Sequence, residues 1–244
     1  MKRLALLLLA LSPFLLSSCF EILEEIYLQK DGRGTYLYTV DMSAIMDESM
    51  KELLANASEE DGVENSLDGI ELDTVMYFKD TNPDEIAELS NPGVFERAFT
   101  KVQMSDSEDK MLVQFGFDFE DVSEIDYFLE HLDELSGDDM QGGEMGKGLL
   151  LSSSGAKMFS RKGKKLSRLS NPNMGDEFND EDMSMLSMLM ETATFTTIYY
   201  LPGKVKKTTI PGAVIDGKTL TVETSMLDLV NGEATMDGWV MYKR

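Results

Sequence analysis

Few side chains in this 244-residue sequence are suited to catalysis, because it contains a single histidine, His131, and a single cysteine, Cys19. If His131 lies on a helix, the residues four positions away are Tyr127 and Leu135, so no second metal ligand stands at that spacing. We expect a solvated surface histidine. With one histidine and one cysteine, the chain has few residues that could form a Ser-His-Asp or Cys-His catalytic site. We therefore predict a protein that is not an enzyme, with no catalytic residues, no metal site and no cofactor.

Three other groups of residues leave alternatives open. The 45 acidic residues provide many chance carboxylate pairs, so an anchored hydrolase that uses paired carboxylates or a bound metal is the alternative function. The acidic segment 176–182 could bind Ca²⁺, but it lacks the EF-hand glycine and spacing, which favours a solvated loop. A methionine cluster could bind Cu(I), although packing into a core is the simpler interpretation. Its members are Met183, Met185, Met188 and Met190.

The start of the chain has the pattern of an export signal. Lys2 and Arg3 precede an apolar run from Leu4 to Leu16, and Ser17 and Ser18 lead into Cys19. The run is shorter than the roughly 20 residues that a spanning helix needs. Its ending, Leu-Ser-Ser-Cys, resembles the lipobox of bacterial lipoproteins, which implies a signal peptide over 1–18, a lipid on Cys19 and a lipidated tether over 19–24. An ordinary cleaved signal is the alternative.

This resemblance implies a location in the cell envelope, with the membrane as a partner through the acyl chains on Cys19. Because Phe20 and not Asp follows the cysteine, we expect the outer membrane if the host has two membranes; the face is left open. Removing residues 1–18, which carry two basic residues and no acid, leaves 20 basic and 45 acidic residues and a net charge of −25. That charge argues against nucleic acid as a partner. A lipid, a polysaccharide or a protein of the envelope remains as a candidate partner.

The mature chain alternates between strand and helix patterns. Two segments, 25–55 and 100–136, each have two alternating strands followed by a helical apolar stripe, and a looser copy begins at residue 156. The pattern predicts an α+β fold: one antiparallel sheet built from repeated strand-strand-helix units, with helices mainly on one face. We expect a single domain over 25–244, with a loop or hinge at 136–155.

The C-terminal third is predicted to be strands at 192–201, 213–215, 219–224 and 233–242. The motifs Tyr200-Leu-Pro-Gly-Lys-Val205 and Asp216-Gly-Lys-Thr-Leu220, followed by a strand with Trp239, resemble the end of the LppM-like domain family of bacterial envelope lipoproteins. That resemblance implies an envelope-facing domain that binds lipid or another amphiphile, without catalytic residues to carry over. The leading function is thus a non-catalytic, lipid-anchored envelope protein that binds an amphiphilic ligand or a partner, or maintains the envelope.

One segment is strongly basic within this acidic chain. Six positive charges fall between residues 157 and 168 with no acid among them, and a second basic cluster occupies 204–207. Such segregation predicts an anion-binding surface for lipid headgroups or polysaccharide. The alternative is a solvated hairpin tip whose charges balance nearby acidic loops. The candidate anion-binding residues are Arg161, Lys162, Lys164 and Lys165.

Overall fold

A computed structural model describes residues 20–46, 69, 71–135, 157–169 and 192–243 of the chain. Several predictions lie outside these residues: the signal peptide 1–18 with Cys19, the hinge at 136–155, the acidic segment 176–182 and the methionine cluster.

The larger of two sheets has eight strands in the order β10-β11-β8-β1-β2-β5-β4-β3. Neighbouring strands are antiparallel except β1 and β8, which run parallel. Every second residue of β1 is buried, which gives the alternation expected of a strand with one inward face. The strands are β1 Glu21–Leu28, β2 Gly34–Asp41, β3 Glu71–Tyr77, β4 Ala98–Ser105, β5 Lys110–Phe119, β8 Thr194–Tyr200, β10 Val214–Asp216 and β11 Thr219–Ser225.

The smaller sheet has four antiparallel strands in the order β6-β7-β12-β9. They are β6 Phe159–Lys162, β7 Lys165–Arg168, β9 Val205–Thr208 and β12 Gly238–Tyr242. The predicted α+β class with mainly antiparallel strands is confirmed. The prediction of one sheet is wrong, because these four strands pair with one another and pack their buried side chains against the larger sheet.

Five short helices are described: α1 Phe78–Thr81, α2 Pro83–Glu88, α3 Pro92–Glu96, α4 Glu124–Leu135 and α5 Met226–Val230. An aromatic cluster joins two of them to the inward face of the larger sheet. Phe128 of α4 stacks on Phe117 of β5 at 4.6 Å between ring centroids and lies 5.3 Å from Phe95 of α3. The buried residues of both sheets and of these helices form one continuous core.

The structure does not show the predicted repeat. Residues 98–135 form two strands and a helix, but β2 is followed by a short 3₁₀ turn at Ser43–Met46, and residues 47–68 lie outside the described part. The predicted tether over 19–24 is also wrong in its later part. Phe20 is buried, its carbonyl accepts a hydrogen bond from the Thr194 amide at 3.1 Å, and β1 begins at Glu21. From Glu21 onwards, β1 pairs with β2 on one side and with β8 on the other, so the strand begins two residues after Cys19.

Candidate functional site

A buried ion pair joins the two sheets. Glu24 lies on β1 and Arg168 on β7, and only 1% and 5% of their surfaces are exposed. Arg168 Nη1 donates to Glu24 Oε2 and, at 2.8 Å, to Thr197 Oγ1. The Thr197 hydroxyl donates to the same carboxylate at 2.8 Å, and the Tyr36 hydroxyl donates to Glu24 Oε1 at 2.9 Å. Both carboxylate oxygens are therefore satisfied, as a buried charge requires.

The surroundings of this pair are aromatic. The Arg168 guanidinium lies 5.3 Å from the Phe159 ring centroid and 5.6 Å from that of Phe195. Burial disfavours its charged form, but the Glu24 carboxylate together with Tyr199 and Tyr36 outweighs this penalty, so the pKa of Arg168 is raised. Burial also raises the pKa of Tyr199 to about 12. The ion pair holds β7 against β1 and so positions the smaller sheet on the larger one.

The smaller sheet carries a basic surface on the side that turns away from the larger sheet. Arg168, Leu166, Val240 and Tyr242 are buried, so the alternate residues of β7 and β12 point outward. In the strand register Met241 pairs with Lys165 on one side and with Lys207 on the other, and Lys165 pairs with Lys162. We call the surface formed by Lys162, Lys165, Lys207, Trp239 and Met241 the basic face.

Trp239 stands between two lysines of the basic face. Lys165 Nζ lies 4.7 Å from the ring centroid and Lys207 Nζ lies 5.7 Å from it. Both distances are within the range of cation–π attraction. The backbone is fixed as well, because the Trp239 carbonyl accepts hydrogen bonds from the Thr209 amide and the Thr208 hydroxyl, both at 3.0 Å.

The four predicted anion-binding residues do not share one surface. Lys162 and Lys165 belong to the basic face, and Lys164 lies in the exposed turn between their strands. Arg161 has a different environment. Its guanidinium donates to the Tyr242 hydroxyl at 3.2 Å and to the carbonyls of Lys30 and Asp31 at 3.3 and 3.4 Å. Arg161 thus links the β6–β7 hairpin to the β1–β2 turn.

Two other titratable groups of α4 have structural partners, one within the helix and one outside it. His131 is half-buried, where a solvated surface histidine was expected; its ring stacks on Tyr127 at 4.2 Å and its Nδ1 donates to the Tyr127 carbonyl at 3.0 Å. Asp126 Oδ1 accepts from the amides of Met158 and Phe159 at 3.1 and 2.9 Å, which ties α4 to β6. Burial raises the pKa of Asp126 to about 6, although these two amides oppose the shift.

A small pocket, about 90 Å³ in volume, lies on the opposite face of the larger sheet. It is lined by Thr39, Lys101, Gln103, Leu112 and Gln114, a mainly polar set without a carboxylate. Ligand pockets for small molecules are usually several times larger. Nowhere in the described residues do three or more His, Cys, Asp or Glu side chains gather as candidate metal ligands. None of the described helices has the length and apolar character needed to cross a bilayer.

No protein-family model matches the chain, and the comparison with curated proteins finds no relative. Among solved structures, the chain is similar to the folded domain of LppM from Mycobacterium tuberculosis, determined by NMR. The sequence identity is 12%, the TM-score is 0.40, and the match covers 93% of this chain and 91% of that domain. A TM-score this low does not establish a common fold, so the functional argument rests on the residues of this chain.

Sequence reasoning missed the residues that complete the basic face. Lys207 was noted only as part of a second basic cluster, because β9 was not predicted as a strand. The sequence predicted a strand that contains Trp239, but it did not predict which strands lie beside it. Residues 205–208 show no apolar–polar alternation, and four residues are too few to distinguish a strand from a loop.

Proposed function

We propose that this protein is a non-catalytic, lipid-anchored protein of the bacterial cell envelope, whose domain binds an amphiphilic ligand or a partner. The lipobox-like ending at Cys19 is the sequence support for the anchor. One structural observation supports the anchor: Phe20, the residue after Cys19, is buried, and β1 follows at Glu21. A lipid on Cys19 would therefore hold the domain directly at a membrane surface, without a spacer.

The non-catalytic part of the proposal is supported by how the buried charges are used. Glu24 and Arg168 neutralise each other between the sheets, and Asp126 accepts two backbone amides at the start of β6. Each of these groups has a structural partner that accounts for its burial. In a host with two membranes, Phe20 after the cysteine favours the outer membrane.

The experiment is metabolic labelling of the full chain with a fatty acid in a bacterial host. The wild type should incorporate label and partition into the detergent phase, because the acyl chains provide a stable anchor. Cys19→Ser should lose both properties. Ser18→Ala, which keeps a small residue before the cysteine, is the matched control and should behave like the wild type. An unlabelled wild type that partitions into the aqueous phase would refute the anchor.

A further inference from the structure

The basic face brings together two basic segments that lie about forty residues apart in the sequence. β12 separates β7 from β9, so Lys165 and Lys207 flank Met241 in register, and Lys162 extends the row to β6. Among the described residues, no carboxylate forms an ion pair with any of these three lysines. Their charges are therefore available to an anion from outside.

The chemistry of the basic face matches the interfacial layer of a bilayer. Trp239 and Met241 are half-buried side chains that offer an apolar strip between cations. Indole rings favour the boundary between headgroups and acyl chains, and lysine ammonium groups pair with phosphates at the same depth. Because these side chains lie on one face of one sheet, the strip and the lysines can contact the same surface together.

The positive charge of the basic face favours anionic over neutral phospholipid. The whole chain has a net charge of −23, so most of its surface is repelled by an anionic membrane, and a segregated cationic face is where such a membrane can approach. A basic patch is also the usual second attachment of a protein held by lipid chains. We propose that the basic face binds the surface of a bilayer that contains anionic phospholipid. The proposed function supplies the membrane, but the face itself does not depend on the lipid at Cys19.

The test uses the mature chain, residues 19–244, with Cys19→Ser, so that its outcome is independent of lipidation. Trp239 is the only tryptophan, and its emission reports on the basic face directly. Vesicles of equal parts phosphatidylglycerol and phosphatidylcholine should shift the emission to shorter wavelength, and brominated acyl chains should quench it. Vesicles of phosphatidylcholine alone should do neither. Binding should weaken as salt is raised from physiological concentration.

Two matched variants keep the test specific. Lys165→Gln/Lys207→Gln should weaken partitioning about 30-fold, since each basic residue near an anionic surface contributes about fivefold. Lys79→Gln/Lys110→Gln removes the same charge at the β3–β5 side of the larger sheet and should bind like the parent. Circular dichroism should show that both variants are folded.

Three outcomes would overturn the proposal. One is absence of binding to the anionic vesicles, and another is equal loss of binding in the two double variants. The third is binding to soluble dextran sulfate without binding to vesicles, which would assign the face to a polyanion. If the parent binds vesicles but full-length protein fails to incorporate fatty acid, the anchor fails while the face stands.

Discussion

At the scale of single residues, the described charges are used mainly to fix elements. Arg168 reaches from β7 to Glu24 on β1 and shares Thr197 with it, so the contact between the sheets contains a buried ion pair. Such a pair contributes little net stability over an apolar contact, but removing one member leaves a buried charge alone. The pair therefore favours the packing that brings β7 against β1.

Arg168→Met should lower the free energy of unfolding by about 3–5 kcal/mol, because the buried Glu24 side chain would lose its ion-pair partner. The double variant Glu24→Gln/Arg168→Met should recover a large part of that loss. Urea unfolding of the two single variants and the double variant gives the coupling energy. Lys162→Met, an exposed change in the same sheet, is the control and should have little effect. Additive losses in the double variant would contradict the pairing.

Asp126 should make stability depend on pH in a defined window. Its pKa is raised from 3.8 to about 6 by burial, so the folded state binds its proton more tightly than the unfolded state. Stability from this group is therefore present below pH 4 and is lost as pH rises to about 6. A shift of this size corresponds to roughly 3 kcal/mol, and partial solvent access reduces the expected effect to about 1 kcal/mol.

Asp126→Asn keeps an acceptor for the amides of Met158 and Phe159 and removes the charge. The variant should be more stable than the wild type by about 1 kcal/mol above pH 7 and equal to it near pH 4. Urea unfolding at the two pH values measures the difference. A variant that is less stable at pH 7 would mean that the amides favour the carboxylate more than burial disfavours it.

At the scale of elements, β12 is the strand that joins β9 to the β6–β7 hairpin in the smaller sheet. It pairs with β7 on one side and β9 on the other, and it carries Trp239 and Met241. Its first residue, Gly238, has a φ of +149°, and a Cβ placed there would lie 2.8 Å from the Ile210 backbone nitrogen. The approach of the Ile210 segment to the start of β12 thus requires a glycine.

Gly238→Ala should lower the free energy of unfolding by about 3 kcal/mol, since it combines backbone strain with a clash against backbone atoms. Gly212→Ala is the matched control. Gly212 also has a positive φ, of +67°, but a Cβ there would meet no atom within 4 Å, so only about 1 kcal/mol of strain is expected. Thermal unfolding of both variants distinguishes them. Equal losses would mean that the contact with Ile210 relaxes at little cost.

At the scale of the whole molecule, the two sheets share one core. The buried residues of β6, β7 and β12 belong to the same continuous cluster as those of β1, β2 and α4, and the partly buried Val205 of β9 packs against it. Neither sheet can therefore lose its partner without exposing apolar surface and the Glu24–Arg168 pair. The molecule should unfold as one cooperative unit, although the connecting segment 136–155 lies outside the described residues.

The mature chain should show a single unfolding transition in urea. Trp239 fluorescence reports on the smaller sheet alone, whereas far-ultraviolet circular dichroism reports on all strands and helices. The two curves should have the same midpoint, as two-state unfolding requires. Separate midpoints, with fluorescence changing first, would show that the smaller sheet is an independent unit.

Contiguous sequence patterns predicted several of the strands and an envelope location, and the location stays a prediction. Alternation in β1, β2 and β5 and the turns at Gly32 and Gly217 predicted these strands because side-chain period and turn geometry are local properties. The signal-like start and the resemblance to a lipobox predicted the envelope for the same reason, since both patterns are contiguous.

Only the tertiary structure decided which strands became neighbours. The division into two sheets, the parallel pairing of β1 with β8 and the meeting of Lys165 with Lys207 across β12 all join segments far apart in the chain. Hydrophobic alternation specifies which side of a strand is buried, but it carries no information about the partner. The partner is fixed by packing of the whole core and by the buried Glu24–Arg168 pair that must be satisfied within it.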